Sequence, residues 1–459
     1  MNKKNKLIYF SDLKISKNTT DALSEKNLYK LTSIQKIAIP PSLKNRDIIG
    51  SSKTGTGKTL CYIVPIIEKL WCKNWTVCDS TGALIISPTR ELAVQIFALL
   101  KNLVKYHIFN SKLFIGGIKN EKTNASVLVA TPGNAAEKIL DSPFFDLKNL
   151  KIIAFDEADL ILDSGFKEII DFIVEFLPKK IQTLIYSATI NSKIRNLAIL
   201  NLKKPIFCFV KKKNRLQNIK TIQIPKKLYQ FFCFAKIDEK FTLLISFLNA
   251  NRGKKILVFF STRKQVKLYY ELSKKFFPKL KIFFSYGKMN QAKRIQNFVS
   301  FNESDNAIFF TTDLFSRGLD FKSVDWVIHF DCPSNFEIFV HRNGRTCRFG
   351  NSGKTLIFLL DTEWYFLKTI NRNGDRVSKI FFSKNQIIGI EKKIKKYINT
   401  NQNLLKLALE TFLNFLKFIF YQKNKKIFKF GKIKWQKYAE SLGLSVPIKS
   451  VIDKIFPRT

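Results

Sequence analysis

Two short segments in the first half of the chain carry residue types that suit phosphate chemistry. In the first, SSKTGTGKT, Gly55 and Gly57 allow backbone N–H groups to turn toward phosphate oxygens. Lys58 can reach the β- and γ-phosphates of a nucleotide, and Thr59 can place its hydroxyl on Mg²⁺. The flanking runs predict a strand before this loop and a helix after it. Because Ser52 stands where the pattern expects glycine, a chance glycine-rich turn is the alternative.

The second segment, FDEAD, ends an apolar run that predicts a buried strand. Asp156 is expected to hold Mg²⁺ through water, and Glu157 to orient or deprotonate an attacking water. Aspartate and glutamate also favour the first turn of a helix, which is the alternative. The phosphate loop earlier in the chain favours the catalytic interpretation.

A third segment, HRNGRTCR, lies in the second half of the chain and repeats arginine at a spacing of three. An arginine that reaches a γ-phosphate from another domain stabilises the charge of the transition state. Arg345 and Arg348 are the candidates for this role. A solvated basic helix face is the alternative, and such faces are common in so basic a chain.

The charge balance points to a polyanionic partner. The chain has 459 residues, with 79 Lys+Arg against 35 Asp+Glu and a formal net charge of +44. Nucleic acid is the simplest partner for such an excess. A genome rich in A and T would also enrich lysine and phenylalanine without selection for function, so charge alone does not decide the question.

The seven cysteines form no C-x-x-C pair and accompany no histidine cluster. This pattern predicts reduced, packed thiols rather than a metal site. The N-terminal run has no apolar core of signal-peptide length, and no apolar run approaches ~20 residues. We therefore expect an intracellular protein without a membrane span.

The apolar runs predict two successive α/β domains. Short runs such as ALIIS and KIIAF fit buried strands, and amphipathic segments separate them, which predicts parallel sheets with helices on both faces. No short repeat appears, so the two halves are expected to be analogous rather than copies. The expected organisation is a first domain over residues 1–210, a charged linker over 211–228, a second domain over 229–372 and a basic helical extension over 373–459.

In this order the motifs resemble those of the DEAD-box RNA helicases, over nearly the whole chain. FSDLKIS and NLYKLTSIQ are similar to the family's adenine-recognition motif, which implies that Gln35 reads the base edge and Phe10 stacks on the base. The resemblance also implies Mg²⁺ held through Thr59 and Asp156, and a ribose contact at Asp320. The implied ATP-binding residues are Phe10, Gln35, Ser52, Lys53, Thr54, Gly55, Thr56, Gly57, Lys58, Thr59, Gly318, Asp320, Arg345 and Arg348.

The same resemblance assigns catalysis, coupling and RNA contacts. SAT would couple hydrolysis to strand separation, and His341 would bridge to the D-E-A-D segment. The implied catalytic residues are Lys58, Asp156, Glu157, His341, Arg345 and Arg348, and the coupling residues are Ser187, Ala188, Thr189 and Asp159. The implied RNA contacts are Pro88, Thr89, Arg90, Gly116, Gly117, Thr131, Pro132 and Gly133 in the first domain, and Ser261, Thr262, Thr312, Asp313 and Arg317 in the second.

Four positions depart from the family pattern. Leu31 stands where proline is usual, and Asn134 where arginine is usual. Tyr286 replaces a common histidine, and Asn343 replaces a small or apolar residue. None of them removes an implied ATP ligand, whereas Asn134 bears on one RNA-side or structural contact.

The resemblance implies two RecA-like domains that face each other across a cleft, with ATP between them and RNA on a basic track across both. The segments WTVCDSTGALIISPTRELAVQIF and YAESLGL look like the subfamily that processes small-subunit ribosomal RNA. That likeness implies pre-ribosomal RNA and small nucleolar ribonucleoproteins as partners, a nuclear or nucleolar location, no membrane and no obligate oligomer.

Two other functions fit the same fold. One is an RNA clamp or scaffold that hydrolyses little ATP, and the intact Lys58, Glu157 and Arg345 argue against it. The other is a DNA-directed motor, and the adenine motif and the D-E-A-D and SAT spelling argue against it.

Overall fold

The computed structural model describes residues 7–52, 56–116, 125–141, 147–163, 165–187, 202, 204–209, 227–316, 319–347, 352–372, 376–383 and 388–444. These residues form two compact units, each built around one parallel sheet. All but the last two residues of the predicted linker 211–228 lie outside the described ranges. None of the described helices combines the length and the hydropathy that a bilayer crossing requires.

The first unit contains a seven-stranded sheet in the order β3-β4-β2-β5-β6-β1-β7, with every pairing parallel. Its central strands are apolar and buried throughout, as expected when helices cover both faces of a parallel sheet. The strands are β1 Ile48–Ser51, β2 Ala83–Ile86, β3 Ser111–Phe114, β4 Val127–Ala130, β5 Ile152–Phe155, β6 Gln182–Ser187 and β7 Ile206–Phe209.

The helices of the first unit begin at residues that satisfy their free backbone N–H groups. Ser16 and Thr89 each accept a hydrogen bond from the backbone three residues on, and so cap the helices that follow them. The α-helices are Lys17–Glu25, Ser33–Leu43, Lys58–Trp71, Arg90–Leu103, Pro132–Asp141, Ala158–Asp163 and Lys167–Glu175, and the 3₁₀ turns are Phe10–Asp12 and Val77–Asp79.

The second unit contains seven parallel strands in the order β10-β11-β9-β12-β13-β8-β14. The strands are β8 Leu228–Phe234, β9 Ile256–Phe259, β10 Ile282–Ser285, β11 Ile308–Thr311, β12 Trp326–His329, β13 Gly353–Leu359 and β14 Ser378–Lys379. When the strands of each unit are numbered from its own first strand, the two orders are identical. The two units therefore share one topology, although the sequence shows no repeat.

The helices of the second unit include a C-terminal group that packs on the sheet domain. The helix Gln402–Phe420 lies against Arg263–Phe276, and Lys264 forms an ion pair with Glu410 between them. The α-helices are Lys240–Ala250, Arg263–Phe276, Gln291–Glu303, Phe336–Asn343, Tyr365–Arg372, Glu391–Thr400, Gln402–Phe420 and Trp435–Ser441, and the 3₁₀ turns are Asp313–Phe315, Asp361–Glu363 and Phe430–Lys432. The described residues of the predicted extension are thus largely helical, and β14 of the sheet also lies beyond residue 372.

A buried polar cluster lies at the carboxyl edge of the second sheet. Asp331 Oδ2 accepts hydrogen bonds from the Ser261 backbone N–H at 3.1 Å and from Gln265 Nε2 at 3.0 Å. Lys240 Nζ lies 3.5 Å from the other oxygen of Asp331, and both side chains are buried. Because a buried charge needs a partner, this cluster fixes the start of the helix Arg263–Phe276 relative to the sheet.

Glu363 belongs to the same buried region. Its Oε2 accepts a hydrogen bond from the Leu360 backbone N–H at 2.8 Å, and the residue is 2% exposed. Burial raises the pKa of the Glu363 carboxyl to about 7, with Asp331 adding to the rise and Lys240 opposing it. The folded protein therefore holds a proton on Glu363 at a pH where the unfolded chain has released it.

The first prediction concerns the close contact between Gly50 in β1 and Tyr186 in β6. A Cβ atom at Gly50 would lie 2.4 Å from Tyr186 Cε1, and the Tyr186 hydroxyl is held by the Cys61 carbonyl at 3.1 Å. Gly50→Ala should lower the free energy of unfolding by about 1–3 kcal/mol, because the tyrosine ring must shift. Urea unfolding measures the loss. Gly253→Ala is the control, since a Cβ there meets nothing within 4 Å, and equal losses would contradict the prediction.

The second prediction concerns Glu363. Between its unfolded pKa near 4.5 and its folded pKa of about 7, the native state binds the extra proton, so wild-type stability falls as pH rises. Glu363→Gln does not titrate, and its stability relative to wild type should increase by about 3 kcal/mol from pH 5 to pH 8. Urea unfolding of the full chain at both pH values tests this. The exposed Glu303→Gln is the control, and a pH-independent difference for Glu363→Gln would contradict the account.

Candidate functional site

The predicted phosphate, catalytic and coupling residues of the first unit lie at the carboxyl ends of three adjacent strands. The phosphate loop follows β1, Asp156 and Glu157 follow β5, and Ser187 ends β6. These strands are neighbours in the order β5-β6-β1. Ligands of open parallel sheets bind at this edge, because all carboxyl ends meet there. The structure therefore brings the predicted phosphate, catalytic and coupling segments together.

The predicted RNA residues of the first unit occupy the other half of the same edge. Pro88–Arg90 follow β2, Gly116 follows β3, and Thr131–Gly133 follow β4, in the strand order β3-β4-β2. Arg90 Nη2 lies so close to Gly116 that a Cβ atom there would be 2.5 Å away. The two predicted functions are thus separated along one sheet edge.

Lys58 is a buried cation in the half of the sheet edge where the predicted phosphate and catalytic residues lie. Its Nζ lies 3.3 Å from Glu157 Oε1 and donates to the Ser52 carbonyl at 3.2 Å. The side chains of Lys58 and Glu157 are 6% and 4% exposed. This contact ties the first turn of the helix Lys58–Trp71 to the end of β5.

Asp156 is held by two donors, one of which the sequence did not reveal. The Tyr62 hydroxyl donates to Asp156 Oδ2 at 2.9 Å, and the Glu157 backbone N–H donates to Oδ1 at 3.0 Å. Burial and the adjacent Glu157 raise the pKa of Asp156 to about 7, against the opposing effects of Lys58 and Tyr62. Burial also raises the pKa of Tyr62 well above its ordinary value, so Tyr62 stays a donor.

Glu157 itself has an uncommon backbone conformation. Its φ is +46°, in the left-handed region that costs a residue other than glycine on the order of 1–3 kcal/mol. The turn comes immediately after β5 and before the helix Ala158–Asp163. Such conformations persist where the surroundings hold them, and here the ion pair with Lys58 is one such restraint.

Gln35 contacts the phosphate loop directly. Its Oε1 accepts from the Thr32 backbone N–H at 2.8 Å, and its Nε2 donates to the Gly57 carbonyl at 3.0 Å. Gly57 has φ +84°, and a Cβ atom there would lie 2.5 Å from Gln35 Nε2. Glycine is therefore required at position 57 both by the turn and by the approach of Gln35.

The N-terminal segment that carries Phe10 pairs with the loop before Gln35. Phe10 N–H donates to the Tyr29 carbonyl at 2.9 Å, and Leu31 N–H donates to the Ile8 carbonyl at 2.8 Å. A proline at position 31 would lack this N–H. Leu31, where the family pattern has proline, therefore allows the hydrogen bond to the Ile8 carbonyl. Phe10 is 2% exposed, and its stacking on a base stays a prediction.

In the second unit the predicted RNA residues also follow adjacent strands. Ser261 and Thr262 follow β9, and Thr312 and Asp313 follow β11, which pairs with β9. Thr262 caps the helix Arg263–Phe276. The same half of the sheet edge therefore carries the predicted RNA contacts in both units.

Arg342 is a further residue that the sequence did not single out. It forms a two-pronged ion pair with Asp313, from Nε to Oδ1 at 2.5 Å and from Nη2 to Oδ2 at 3.0 Å, and its Nη1 donates to the Asp331 carbonyl at 3.1 Å. The carboxylate of Asp313 is thus engaged by protein. Arg342, Arg345 and Arg348 share the spacing of three, which could have suggested Arg342.

Two further departures from the family pattern have partners. Asn343 is buried, with Oδ1 2.8 Å from His329 Nε2 and Nδ2 donating to Gln230 at 3.4 Å, so its polar group is satisfied. Asn134 accepts from the Thr131 hydroxyl at 2.9 Å and donates to Glu137 at 2.9 Å. Burial holds the pKa of His329 well below its ordinary value, and Arg342 adds to that effect.

The other predicted residues include two further groups. His341 Nε2 lies 3.6 Å from Glu337, and Arg345 Nε donates to the His341 carbonyl at 3.3 Å. The second group lies outside the described residues: Lys53, Thr54, Gly55, Gly117, Ala188, Thr189, Arg317, Gly318 and Arg348.

Two family models match the chain. One described as DEAD/DEAH box helicase matches residues 32–197, and one described as helicase conserved C-terminal domain matches residues 239–350. The ATP-dependent RNA helicase dbp4 of Schizosaccharomyces pombe is 37% identical over 452 residues, covering 97% of this chain and 61% of that protein. The probable ATP-dependent RNA helicase ddx10 of Dictyostelium discoideum is 39% identical over 441 residues, covering 95% of this chain and 50% of that protein. The chain thus spans roughly half to three-fifths of these relatives' length.

Solved structures share the fold. A structure of Mss116p bound to ssRNA and AMP-PNP has a TM-score of 0.83 at 23% identity, covering 99% of this chain and 96% of that chain. A structure of S. cerevisiae Dbp5 bound to RNA and ADP BeF3 has a TM-score of 0.72 at 24% identity, covering 81% of this chain and 95% of that chain. The two seven-stranded parallel sheets and this likeness confirm the prediction of two RecA-like domains.

Proposed function

The chain belongs to the DEAD/DEAH box helicase family, and from that membership we propose that it is an ATP-dependent RNA helicase. It would couple ATP binding and hydrolysis to the local opening or remodelling of RNA duplexes. The observation that carries the proposal is the buried contact of Lys58 with Glu157 at the end of β5, beside Asp156. The names of the relatives, ATP-dependent RNA helicases, support the same reaction.

ATP would bind through the phosphate loop and the adenine motif. A glutamine amide offers two N–H donors and two lone pairs, and the contacts with Thr32 and Gly57 use one of each. The remaining donor and lone pair suit the edge of adenine, whereas guanine presents an acceptor where adenine has its amino group. Lys58 would leave the Ser52 carbonyl for the phosphates.

The carboxyl pair suits Mg²⁺. Asp156 and Glu157 are adjacent and buried, and their mutual repulsion and burial raise the pKa of Asp156 to about 7. A divalent cation beside them would favour the ionised carboxylate, so the donor set fits the metal. Asp156 and Thr59 would hold it, largely through water, and the bound metal would neutralise charge on the phosphates. Tyr62 keeps Asp156 oriented through its hydroxyl.

Glu157 would orient the attacking water, and Arg345 and Arg348 would stabilise the charge that develops on the γ-phosphate. His341 and Asp159 would connect the nucleotide to the segments that contact RNA, together with Ser187, Ala188 and Thr189. We propose that ATP and RNA bring the two domains together and that hydrolysis releases them. The proposed domains are residues 1–210 and 229–372, with the linker 211–228 and the extension 373–459.

RNA would lie on the half of each sheet edge where β2, β3 and β4, or β9 and β11, end. Backbone N–H groups, Arg90 and the hydroxyls of Thr89, Thr131 and Thr262 suit phosphate and sugar oxygens. Contacts of this kind carry no sequence information, and a contact to the 2′-hydroxyl would favour RNA over DNA.

The cellular role we propose is pre-ribosomal RNA processing, with small nucleolar ribonucleoproteins as partners and a nuclear or nucleolar location. The segments 75–97 and 438–444 support this role by their resemblance to the small-subunit processing subfamily. Crosslinking of the protein to its bound RNAs in cells would identify the substrate.

The third prediction tests the catalytic role of Glu157. Glu157→Gln should reduce ATP hydrolysis by roughly 10²-fold or more, because the amide cannot take up a proton. ATP binding should persist, since the amide oxygen can still accept from Lys58. Steady-state turnover and equilibrium nucleotide binding measure the two effects. The exposed Glu168→Gln is the control, and hydrolysis near the wild-type rate in Glu157→Gln would refute the role.

A further inference from the structure

An exposed tryptophan, Trp364, and a half-buried tyrosine, Tyr365, lie side by side on the second unit, outside the residues assigned above. Trp364 is 41% exposed and follows the 3₁₀ turn Asp361–Glu363, directly after β13. Its ring centroid lies 6.0 Å from that of Tyr365, with the planes at 78°. Tryptophan is usually largely buried, so this exposure needs a reason.

Three cations surround these rings. Lys368 Nζ lies 4.6 Å from the Trp364 ring centroid, and Lys429 Nζ lies 6.0 Å from it. Arg372 Cζ lies 5.9 Å from the Tyr365 centroid, and Arg372 Nη1 donates to the Tyr365 hydroxyl at 3.4 Å. We call Trp364, Tyr365, Lys368, Arg372 and Lys429 the Trp364 surface.

The electrostatic surroundings of the Trp364 surface favour an anion. Glu363 is next in sequence, but it is buried, accepts from the Leu360 N–H and has its pKa raised by burial. Asp361 is exposed, but its single negative charge is outnumbered by the three positive charges of Lys368, Arg372 and Lys429. The segment that supplies Lys429 also exposes three further lysines, at positions 423, 425 and 426.

We propose that the Trp364 surface binds single-stranded RNA, with one base stacked on Trp364 and the adjoining phosphates on Lys368 and Lys429. An aromatic ring beside flexible cations is the combination by which proteins hold single strands without reading sequence. A stacked base would cover the exposed ring, and the lysines would displace counterions from the RNA phosphates. The proposal rests on the proposed RNA helicase function and assigns a second contact for the same strand.

The position in the fold supports this partner. Ser261 and Thr262 follow β9, and β12 alone separates β9 from β13 in the sheet. At a strand spacing of about 4.8 Å, the end of β13 lies about 10 Å from the end of β9. Both points are on the carboxyl edge of one sheet. RNA held at Ser261 and Thr262 can therefore extend to Trp364, and a single-stranded extension of the RNA should tighten binding.

The fourth prediction is the test of this surface. Trp364→Ala in the full chain should weaken binding of a labelled oligouridylate by about 5- to 100-fold, the loss of one stacked base, as measured by fluorescence anisotropy. Trp364→Phe should lose less, because a ring remains. Lys429→Gln should make the dependence of log Kd on log salt shallower by about one. ATP hydrolysis without RNA should not change in any of these variants.

Phe381→Ala is the matched control. Phe381 is 78% exposed with Lys379 Nζ 4.6 Å from its ring centroid, but it lies beyond β14 at the far edge of the sheet. Unchanged RNA affinity in a folded Trp364→Ala protein, or an equal loss in Phe381→Ala, would overturn the proposal. If Trp364→Ala does not fold, Trp364→Phe and Lys429→Gln decide by the same measurements.

The two proposals fail differently. Wild-type protein that does not bind the oligouridylate would refute the RNA helicase function and the Trp364 surface together. Wild-type binding that all the variants retain, with an unchanged salt dependence, would refute the Trp364 surface alone. A purely structural role would lower thermal stability in Trp364→Ala and leave RNA affinity as it was.

Discussion

The buried ion pair between Lys58 and Glu157 is the contact on which the candidate site depends. Lys58 is the first residue of the helix after the predicted phosphate loop, and Glu157 follows β5. Their 3.3 Å contact therefore joins the two segments that are predicted to carry the chemistry. Two buried charges are stable only as partners, and loss of either leaves the other unpaired. Asp156, Tyr62 and Ser52 complete this group through hydrogen bonds. The arrangement places a cation and two carboxyl groups beside the predicted phosphate loop.

The parallel sheets of the two units have the same strand order. The carboxyl ends of seven strands meet along one edge, and the strand order divides that edge into two halves. In the second unit, Arg342 joins the segment after β11 to the segment after β12 through Asp313 and the Asp331 carbonyl, as Lys58 joins two segments in the first. Asp331 in turn holds Ser261 and Gln265 after β9. Ion pairs and hydrogen bonds with a buried Lys58, Arg342 or Asp331 therefore fix the segments that the proposed function uses.

The motifs predicted the fold class, the strand–loop–helix around Lys58 and the strand end at Asp156, because each is a local pattern. Sequence could not reveal Tyr62 as a donor to Asp156, since an aromatic residue on an apolar helix face looks like core. Leu31 and Asn343 depart from the family pattern in sequence. Only the structure shows that Leu31 bonds to Ile8, and that Asn343 bonds to His329 and Gln230. The sequence also did not predict that the two sheets have the same strand order, because two sheets can share a topology without any sequence similarity.

The most direct test of the central claim compares RNA with DNA as activators of hydrolysis. ATP turnover by the full chain would be measured alone, with a single-stranded RNA, and with a DNA of the same base sequence at the same nucleotide concentration. The proposed RNA helicase function predicts that ATP turnover is severalfold faster with RNA than with DNA or with no nucleic acid. Equal stimulation by DNA would contradict the account and favour a DNA-directed motor. No stimulation by either nucleic acid would contradict it and favour an RNA clamp or scaffold that hydrolyses little ATP.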